Sequence, residues 1–176
     1  MKIHTAHFGE RDIEASDIIS FPKGLPGLPN KHQFALLPED LDPPVFLFLQ
    51  STEDADLAFT VSMAQKFGIT YDDTLLTDTE MQTLGLKAFS DAIVLLLISE
   101  NHDHPHRRQF DPKFIPHISN PIIVNPLTRK GLYKELRGVH CSATISALAE
   151  TDDDAEVAKE NYMRFLAMMQ AGIKAP

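Results

Sequence analysis

The clearest candidates for chemistry are three histidines that alternate with other residues, His102, His104 and His106. On a strand their rings would share one face, and neutral imidazoles are ligands for zinc, nickel and copper. Pro105 weakens a strand at this point, and the two arginines after His106 place positive charge beside any bound cation. We therefore expect adventitious metal affinity in a polar loop, and no cofactor. The alternative is a metal-dependent enzyme or metal-binding protein that uses this cluster.

A second candidate is the thiol of Cys141, which follows His140. Neighbouring residues on a strand point to opposite faces, so a catalytic pair is disfavoured and a buried structural thiol is expected. As the only cysteine it cannot form an internal disulfide, which favours a reducing, cytoplasmic setting. The sequence contains no Gly-x-Ser-x-Gly, His-Glu-x-x-His or Walker motif. These observations favour a protein that is not an enzyme.

A third candidate is the stretch "NPLTRKG", residues 125–131, in which two cations follow an apolar run. Asn125 and Pro126 are typical of a strand end, and Gly131 can supply a positive φ if the turn needs one. The stretch is either a hairpin turn with solvated cations or a contact loop in which Arg129 offers its guanidinium to a partner carboxylate. An oxyanion or phosphate site is a third interpretation, although no glycine-rich loop opening a helix accompanies it.

Carboxylates gather just before a predicted strand, at Glu53, Asp54 and Asp56. They form either a solvated turn or an acidic rim that could meet a basic protein. The net charge of −9 supports solubility and also suits a basic partner, because opposite charges speed encounter. The same charge argues against direct binding of nucleic acid, which is held through Lys and Arg on its phosphates.

The sequence carries no membrane signal. No stretch reaches the roughly 18 consecutive apolar residues that a membrane span needs. The first residues lack the apolar region of a secretion signal. We therefore expect neither membrane attachment nor secretion.

Short strands joined by tight turns dominate the rest of the sequence. Residues 2–15 alternate around Gly-Glu-Arg-Asp, which predicts a hairpin, and the proline- and glycine-rich residues 22–30 predict an ordered loop. Thr77 to Glu80 is a capping box that begins a short helix ending at Gly85. Residues 101–119 read as a long polar loop. Further strands are predicted in the stretches "QFALLP", "VFLFLQS", "DLAFTVSM", "DAIVLLLISE", "PIIVN", "LYKEL" and "GVHCSATIS".

The composition changes at Glu150, where an acidic run leads into an amphipathic stripe. The stripe recurs at helical spacing and predicts a helix that packs on the main domain or docks with a partner; its members are Ala158, Tyr162, Phe165, Leu166 and Met169. We therefore expect two parts, a β-barrel domain over residues 1–150 and a helical extension over 151–176. The predicted fold is mainly β, a barrel-like antiparallel sheet with one short mid-chain helix and a C-terminal helix.

Five stretches, in order, resemble the FliW family of flagellar assembly factors. They lie within residues 8–136 and read "FGERDIEASDIISFPKGLPGL", "FALLP", "FLQSTEDADLAFTVSM", "DAIVLLLIS" and "NPIIVNPLTRKG". The resemblance implies a small cytoplasmic binding protein with a β-barrel-like fold. It also implies two partners, the basic RNA-binding repressor CsrA, which the protein would keep off flagellin mRNA, and flagellin, which would compete with it.

From the resemblance and the charges together we expect a monomeric regulatory protein. Its contact residues would be Asp54, Asp56, Asn125 and Arg129. The acidic side chains would speed encounter with the repressor, and an apolar patch near a strand edge would supply most of the affinity.

Overall fold

A computed structural model describes residues 1–39, 46–100, 114–136 and 144–145. Within these ranges the chain forms twelve strands, the α-helix α1 (Asp78–Leu84) and four 3-10 helices. The strands are β1 (Lys2–Thr5), β2 (Gly9–Asp12), β3 (Ile18–Ser20), β4 (Gln33–Pro38), β5 (Leu47–Ser51), β6 (Ala58–Met63), β7 (Ile69–Thr70), β8 (Ile93–Glu100), β9 (Phe114–Pro116), β10 (Ile122–Asn125), β11 (Lys130–Tyr133) and β12 (Thr144–Ile145). The 3-10 helices are Ala15–Asp17, Ala64–Phe67, Asp73–Leu75 and Phe89–Asp91.

Seven strands close into a barrel. Their order is β10-β11-β3-β4-β5-β6-β8, and β8 pairs with β10 to complete the ring, Leu95 facing Ile122. The neighbours in the ring are antiparallel except β11 and β3, which run parallel with Lys130 beside Ser20. The predicted mainly β, barrel-like fold is confirmed, and closure removes the free edges that an open sheet would expose.

The barrel interior is a single apolar cluster. Every strand of the ring except β11 contributes buried residues to it. These are Ile19, Phe21, Leu25, Phe34, Leu36, Leu47, Leu49, Val61, Met63, Leu95, Ile122 and Val124. Leu25 comes from the proline- and glycine-rich loop, which is ordered as predicted and bridges Leu25 to Leu28. The loop therefore adds a side chain to the core as well as connecting β3 to β4.

The outer face of the barrel is covered in three places. The hairpin β1–β2 packs Ile3 and Ile13 against Ala35 of β4. The segment from Ala64 to Ile69 packs against Leu96 of β8. On the outside of β10 and β11, α1 and its flanks form a third cluster that contains Leu75, Leu76, Leu84, Leu86, Ile123 and Leu132. Strands covered on both faces have few polar positions, which is why β8 and β10 are almost continuously apolar.

Helix α1 begins and ends where the sequence predicts. The Thr77 hydroxyl accepts a hydrogen bond from the backbone N–H of Glu80, and the Glu80 carboxylate accepts one from the N–H of Thr77. Gly85 ends the helix with a φ of 71°. The side chain of Lys134 reaches Glu80 at 2.7 Å and so connects the start of the helix to the residue after β11.

Two local predictions are wrong. The turn of the first hairpin lies at residues 6–8, and the Gly-Glu-Arg-Asp stretch forms β2, because Thr5 pairs with Gly9. Part of the predicted polar loop is a strand, since β9 pairs with the end of β8 through Ser99 and Ile115. β2 is an exposed polar strand with the composition of a turn, and β9 is a three-residue stretch that ends in a proline. Only the pairing distinguishes either strand from a loop.

Some predictions fall outside the described residues. The histidine cluster, Cys141 and the helical extension 151–176 are among them, and β12 covers only two residues of the last predicted strand. Among the described residues, no helix is both long and apolar enough to cross a membrane.

Candidate functional site

Asn125, at the end of β10, holds the turn that follows it against the end of α1. Its side-chain nitrogen donates to the carbonyl oxygens of Leu84 and Gly85, at 3.0 and 3.1 Å. Its side-chain oxygen accepts from the backbone N–H of Leu127 at 2.9 Å and of Thr128 at 3.4 Å. The residue is 2% exposed. Asn125 therefore has a structural role, and its side chain does not reach the surface that a partner would touch.

Thr128 strengthens the same connection between the turn and the helix. Its hydroxyl donates to the carbonyl oxygen of Leu84 at 2.6 Å. A Cβ on Gly85 would lie 3.0 Å from the Thr128 methyl carbon, and the positive φ of Gly85 adds strain for any other residue. The last carbonyls of α1 thus find donors in a turn some 40 residues later, which satisfies groups that a helix end leaves unpaired.

Arg129, and not Gly131, adopts the left-handed conformation in this turn. Its φ is 56°, and among the described residues it alone has a positive φ without being glycine. Its N–H donates to the carbonyl oxygen of Asn125, and its own carbonyl oxygen accepts from the N–H of Ser20 at 2.8 Å. Burial lowers the pKa of the half-buried guanidinium, and the charge of Asp17 acts in the opposite direction.

Gly131 is required for a different reason from the predicted one. It lies in β11 without a positive φ, and a Cβ there would lie 2.5 Å from Cε1 of Phe21 and 3.0 Å from a methyl carbon of Ile19. The ring of Phe21 is fully buried and packs edge-on against Phe34, 5.6 Å away. Glycine is therefore needed for the close packing of β11 against β3, which completes the barrel.

Residues 51–57 form a loop, called the acidic loop here, whose backbone is held by hydrogen bonds from the side chain of Gln50. The side-chain nitrogen of Gln50 lies within hydrogen-bond distance of the carbonyl oxygens of Ser51, Asp54, Ala55 and Leu57, at 2.9 to 3.2 Å. Gln50 is 1% exposed, and its side-chain oxygen has no hydrogen-bond partner among the described residues. Sequence reasoning missed this residue; the available signal was a polar side chain at the end of an otherwise apolar strand.

The carboxylates of the acidic loop point outward with partial local pairing. Asp54 is half-buried and accepts from the N–H of Asp56 at 3.2 Å, while Asp56 is exposed. Glu53 is exposed and lies 3.4 Å from the ammonium group of Lys31. The loop therefore offers Asp54 and Asp56 as the carboxylates most available for a partner, while Glu53 is partly neutralised by Lys31.

Backbone pairing places Arg129 and the acidic loop on the same part of the barrel wall. Ser20 donates to the Arg129 carbonyl, Ser20 pairs with Gln33, and Thr52 donates to the Gln33 carbonyl. Two strands, β3 and β4, thus lie between Arg129 and the loop. Three strand-to-strand spacings of ~4.8 Å make this distance about 14 Å. Asp54, Asp56 and Arg129 therefore fit within one standard protein interface.

The part of the chain that the structure describes does not gather the ligands of a metal site. Among the described residues no three His, Cys, Asp or Glu side chains are placed to hold a metal ion. A groove of about 480 Å³ lies outside the barrel beside β7, and a smaller cavity of about 100 Å³ opens beside Leu25 and Tyr133. Their linings carry neither a histidine nor a cysteine, and the one carboxylate is Asp73.

Comparison with known proteins decides the family. The family model described as FliW protein matches residues 2–134. The chain belongs to the FliW family. The match covers the whole barrel, including both the acidic loop and the Asn125 turn.

Individual FliW relatives agree with this assignment. The chain is 30% identical over 147 residues to the flagellar assembly factor FliW of Azoarcus sp. (strain BH72), a match that covers 82% of this chain and 97% of the relative. It is 33% identical over 129 residues to that of Leptospira biflexa, covering 73% and 79%. A crystal structure of the flagellar assembly factor FliW shares the fold, with a TM-score of 0.65 and 23% identity over 86% of this chain and 100% of the other.

Proposed function

We propose that this protein is a flagellar assembly factor that works by binding other proteins. In this proposal it sequesters a CsrA-type translational repressor, so that flagellin mRNA is translated, and flagellin competes for it. Membership of the FliW family over residues 2–134 is the observation that carries the proposal, together with relatives that are named flagellar assembly factors.

Charge supports a basic partner. The chain carries a net charge of −9, and a repressor that binds RNA must present positive groups to phosphates. Opposite net charges raise the rate of encounter, and the exposed carboxylates of the acidic loop offer a place for cations to land. The loop is held by a buried amide, so little conformational freedom would be lost on binding.

The proposed contact residues are Asp54, Asp56 and Arg129. The carboxylates would meet Lys or Arg on the repressor, and the guanidinium of Arg129 would meet a carboxylate or a carbonyl oxygen. Asn125 contributes indirectly, because its hydrogen bonds fix the turn that gives Arg129 its left-handed backbone. This surface acts as a rigid platform for a partner.

A binding role without catalysis is consistent with the relatives, which are named as assembly factors and not as enzymes. The metal-dependent alternative depends on His102, His104 and His106, which lie outside the described residues. No observation favours it. The proposal also requires a cytoplasmic protein, because the repressor acts where mRNA is translated, and we infer a monomer that binds the repressor directly.

Calorimetry tests the function and the surface separately. The full chain is titrated with the CsrA-type repressor and with flagellin of the same organism. Reversing both charges, Asp54→Lys with Asp56→Lys, is expected to weaken repressor binding about tenfold at low salt and less at high salt. The matched control, Glu10→Lys with Asp12→Lys, makes the same change in net charge on the exposed strand β2 and is expected to have a much smaller effect.

The outcomes distinguish two failures. Equal weakening by both double variants would mean that net charge matters and that the acidic loop is not the contact surface. An unaltered affinity in the loop variant would also reject that surface. If the wild-type chain binds neither protein, the proposed function is rejected.

A further inference from the structure

The groove outside the barrel is a second candidate site that the proposed surface does not use. It lies between the segment 64–73 and the segment 88–94, with a volume of about 480 Å³. Its apolar lining comes from Ile69, Tyr71, Phe89, Ala92 and Val94, of which Ile69 is buried and the others are half-buried. Half-buried aromatic and aliphatic side chains along a groove of this size suit the apolar face of a helix.

The chain itself passes the rim of this groove. Strand β12 pairs antiparallel with β7, with Thr144 beside Thr70 and Ile145 beside Ile69. Ile69 and Thr70 both line the groove. Because the pairing is antiparallel, the chain leaves Ile145 in the direction of the 3-10 helix Ala64–Phe67, whose first two residues also line it. Residues 146–176 therefore start at the groove.

The sequence of residues 146–176 suits the groove in its apolar residues and its charge. An acidic run, residues 152–156, precedes the amphipathic stripe that includes Tyr162, Phe165 and Met169. Lys66 lies in the 3-10 helix toward which the chain leaves β12 and has the charge opposite to the acidic run. The connection from Ile145 to the acidic run spans only residues 146–151. It reaches at most about 20 Å.

We propose that residues 151–172 of this chain dock as an amphipathic helix in the groove between β7 and β8. The tether makes the helix an intramolecular ligand. A connection this short gives an effective concentration in the millimolar range, so even a weak contact is well populated. An amphipathic helix of a partner that fits the same groove would have to displace this segment first.

Hydrogen–deuterium exchange on the full-length chain tests the proposal without any partner. Phe165→Asp puts a charge into the apolar stripe and is expected to increase amide exchange in residues 69–71 and 88–94 roughly tenfold. Ala167→Asp is the matched control, because at 100° per residue it lies about 200° from Phe165 on the helix and adds the same charge to the other face. It is expected to leave exchange in the groove unchanged.

A reciprocal variant changes the groove instead. Ala88 lines the groove, is exposed, and occupies the position before a 3-10 helix, where aspartate is favoured. Ala88→Asp is therefore expected to leave the barrel folded and to speed exchange in residues 158–169. Lys87→Gln, one residue away and outside the lining, makes the same one-unit change in net charge and serves as the control.

Three results would overturn the proposal. The first is equal exchange in the groove for wild type, Phe165→Asp and Ala167→Asp. The second is equal loss of protection in both tail variants, which would mean a general effect of charge. The third is protection of residues 88–94 that increases with protein concentration, which would assign the groove to a second copy of the chain. All three leave the proposed repressor binding untouched.

Discussion

Two loops on the barrel wall are each organised by a buried carboxamide, and the two amides act over different distances. Gln50 donates to carbonyls no more than seven residues away, all within its own loop. Asn125 also fixes its own turn, but its nitrogen reaches Leu84 and Gly85, about 40 residues earlier in the chain. The acidic loop is therefore a locally organised element, whereas the Asn125 turn connects α1 to the barrel.

The two amides also differ in how many of their side-chain atoms form hydrogen bonds. Asn125 uses both its nitrogen and its oxygen, while the side-chain oxygen of Gln50 finds no partner in the described part of the chain. A buried polar atom without a partner costs free energy, so replacing Gln50 removes one penalty together with the hydrogen bonds. We expect stability to depend strongly on Asn125 and the shape of the acidic loop to depend on Gln50.

The largest expected effect is that of Asn125→Ala. The change leaves the N–H groups of Leu127 and Thr128 and the carbonyl of Gly85 without their partner at a partly buried site, and it opens a cavity where the buried amide stood. We expect the free energy of unfolding in urea to fall by about 3 kcal/mol. Thr128→Val, which removes one hydrogen bond to Leu84 from the same turn, should cost about 1 kcal/mol. A loss below 1 kcal/mol for Asn125→Ala would show that the turn does not hold α1.

Gly131→Ala tests the other anchor of the Asn125 turn. The added methyl would overlap the ring of Phe21, which is enclosed by the core. We expect a loss of about 2 kcal/mol in urea unfolding, since overpacking a well-packed core costs about 1–3 kcal/mol. Gly131→Ala should cost less stability in a protein that already carries Phe21→Leu than in the wild type, because the shorter side chain leaves room for the added methyl. Absence of that coupling in the double-mutant cycle would contradict the clash.

Gln50→Leu is expected to act mainly on the acidic loop. The carbonyls it releases are partly exposed and can bind water, so the global loss should be about 1 kcal/mol. Amide exchange in residues 52–57 should increase more than exchange in the rest of the barrel. Repressor binding should weaken as well, because the carboxylates lose their fixed positions. If amide exchange in residues 52–57 does not change, Gln50 does not hold the loop. Another contact would then hold it, for example the hydrogen bond from the N–H of Ala6 to the carbonyl oxygen of Ala55.

The smallest expected effect concerns Glu80 and Lys134, which hold the opposite end of α1 from the Asn125 turn. Burial alone would raise the pKa of Glu80, but hydrogen bonds from Lys134 and Thr77 and the Lys134 charge lower it below its usual value. At pH values above the usual carboxyl pKa, the pair makes its full contribution to stability. This contribution is lost as the pH falls through the lowered pKa of the folded state.

Unfolding at pH 7 and pH 3 measures this contribution. Glu80→Gln should lower stability at pH 7 by about 1 kcal/mol and leave it nearly unchanged at pH 3. Lys134→Met removes the partner instead and should reduce the same pH dependence. The side chains of Glu80 and Lys134 are 16% and 22% exposed, against 53% and 29% for Glu53 and Lys31, so the latter pair should contribute less.

Much of the fold was predictable because it rests on local signals. Apolar runs between Pro, Gly and Asp clusters predict the barrel strands, and the capping box predicts α1 to the residue. The hairpin turn was not predictable, because the exposed polar strand β2 has the composition of a loop. β9 was not predictable, because it has only three residues and ends in a proline. Closure of the ring between β11 and β3 depends on residues far apart in the sequence, and no local pattern encodes it.

The candidate surface was less predictable than the fold. Charge and position identified Asp54 and Asp56, which the structure places on the outside of the wall. Asn125 has the same sequence signature as a surface turn residue, and only the distant carbonyls of α1 show that it is buried. Gln50 carries no motif, and its role appears only when the loop folds over it.

The parallel pairing of β3 and β11 also determines when the barrel can close during synthesis. Ser20 leaves the ribosome early, and its neighbour Lys130 follows several seconds later at ordinary rates of synthesis. Until then β3 lacks its neighbour β11 in the ring. Ring closure is thus a late step, and a translation pause before Lys130 would prolong the period in which the nascent chain is prone to aggregate.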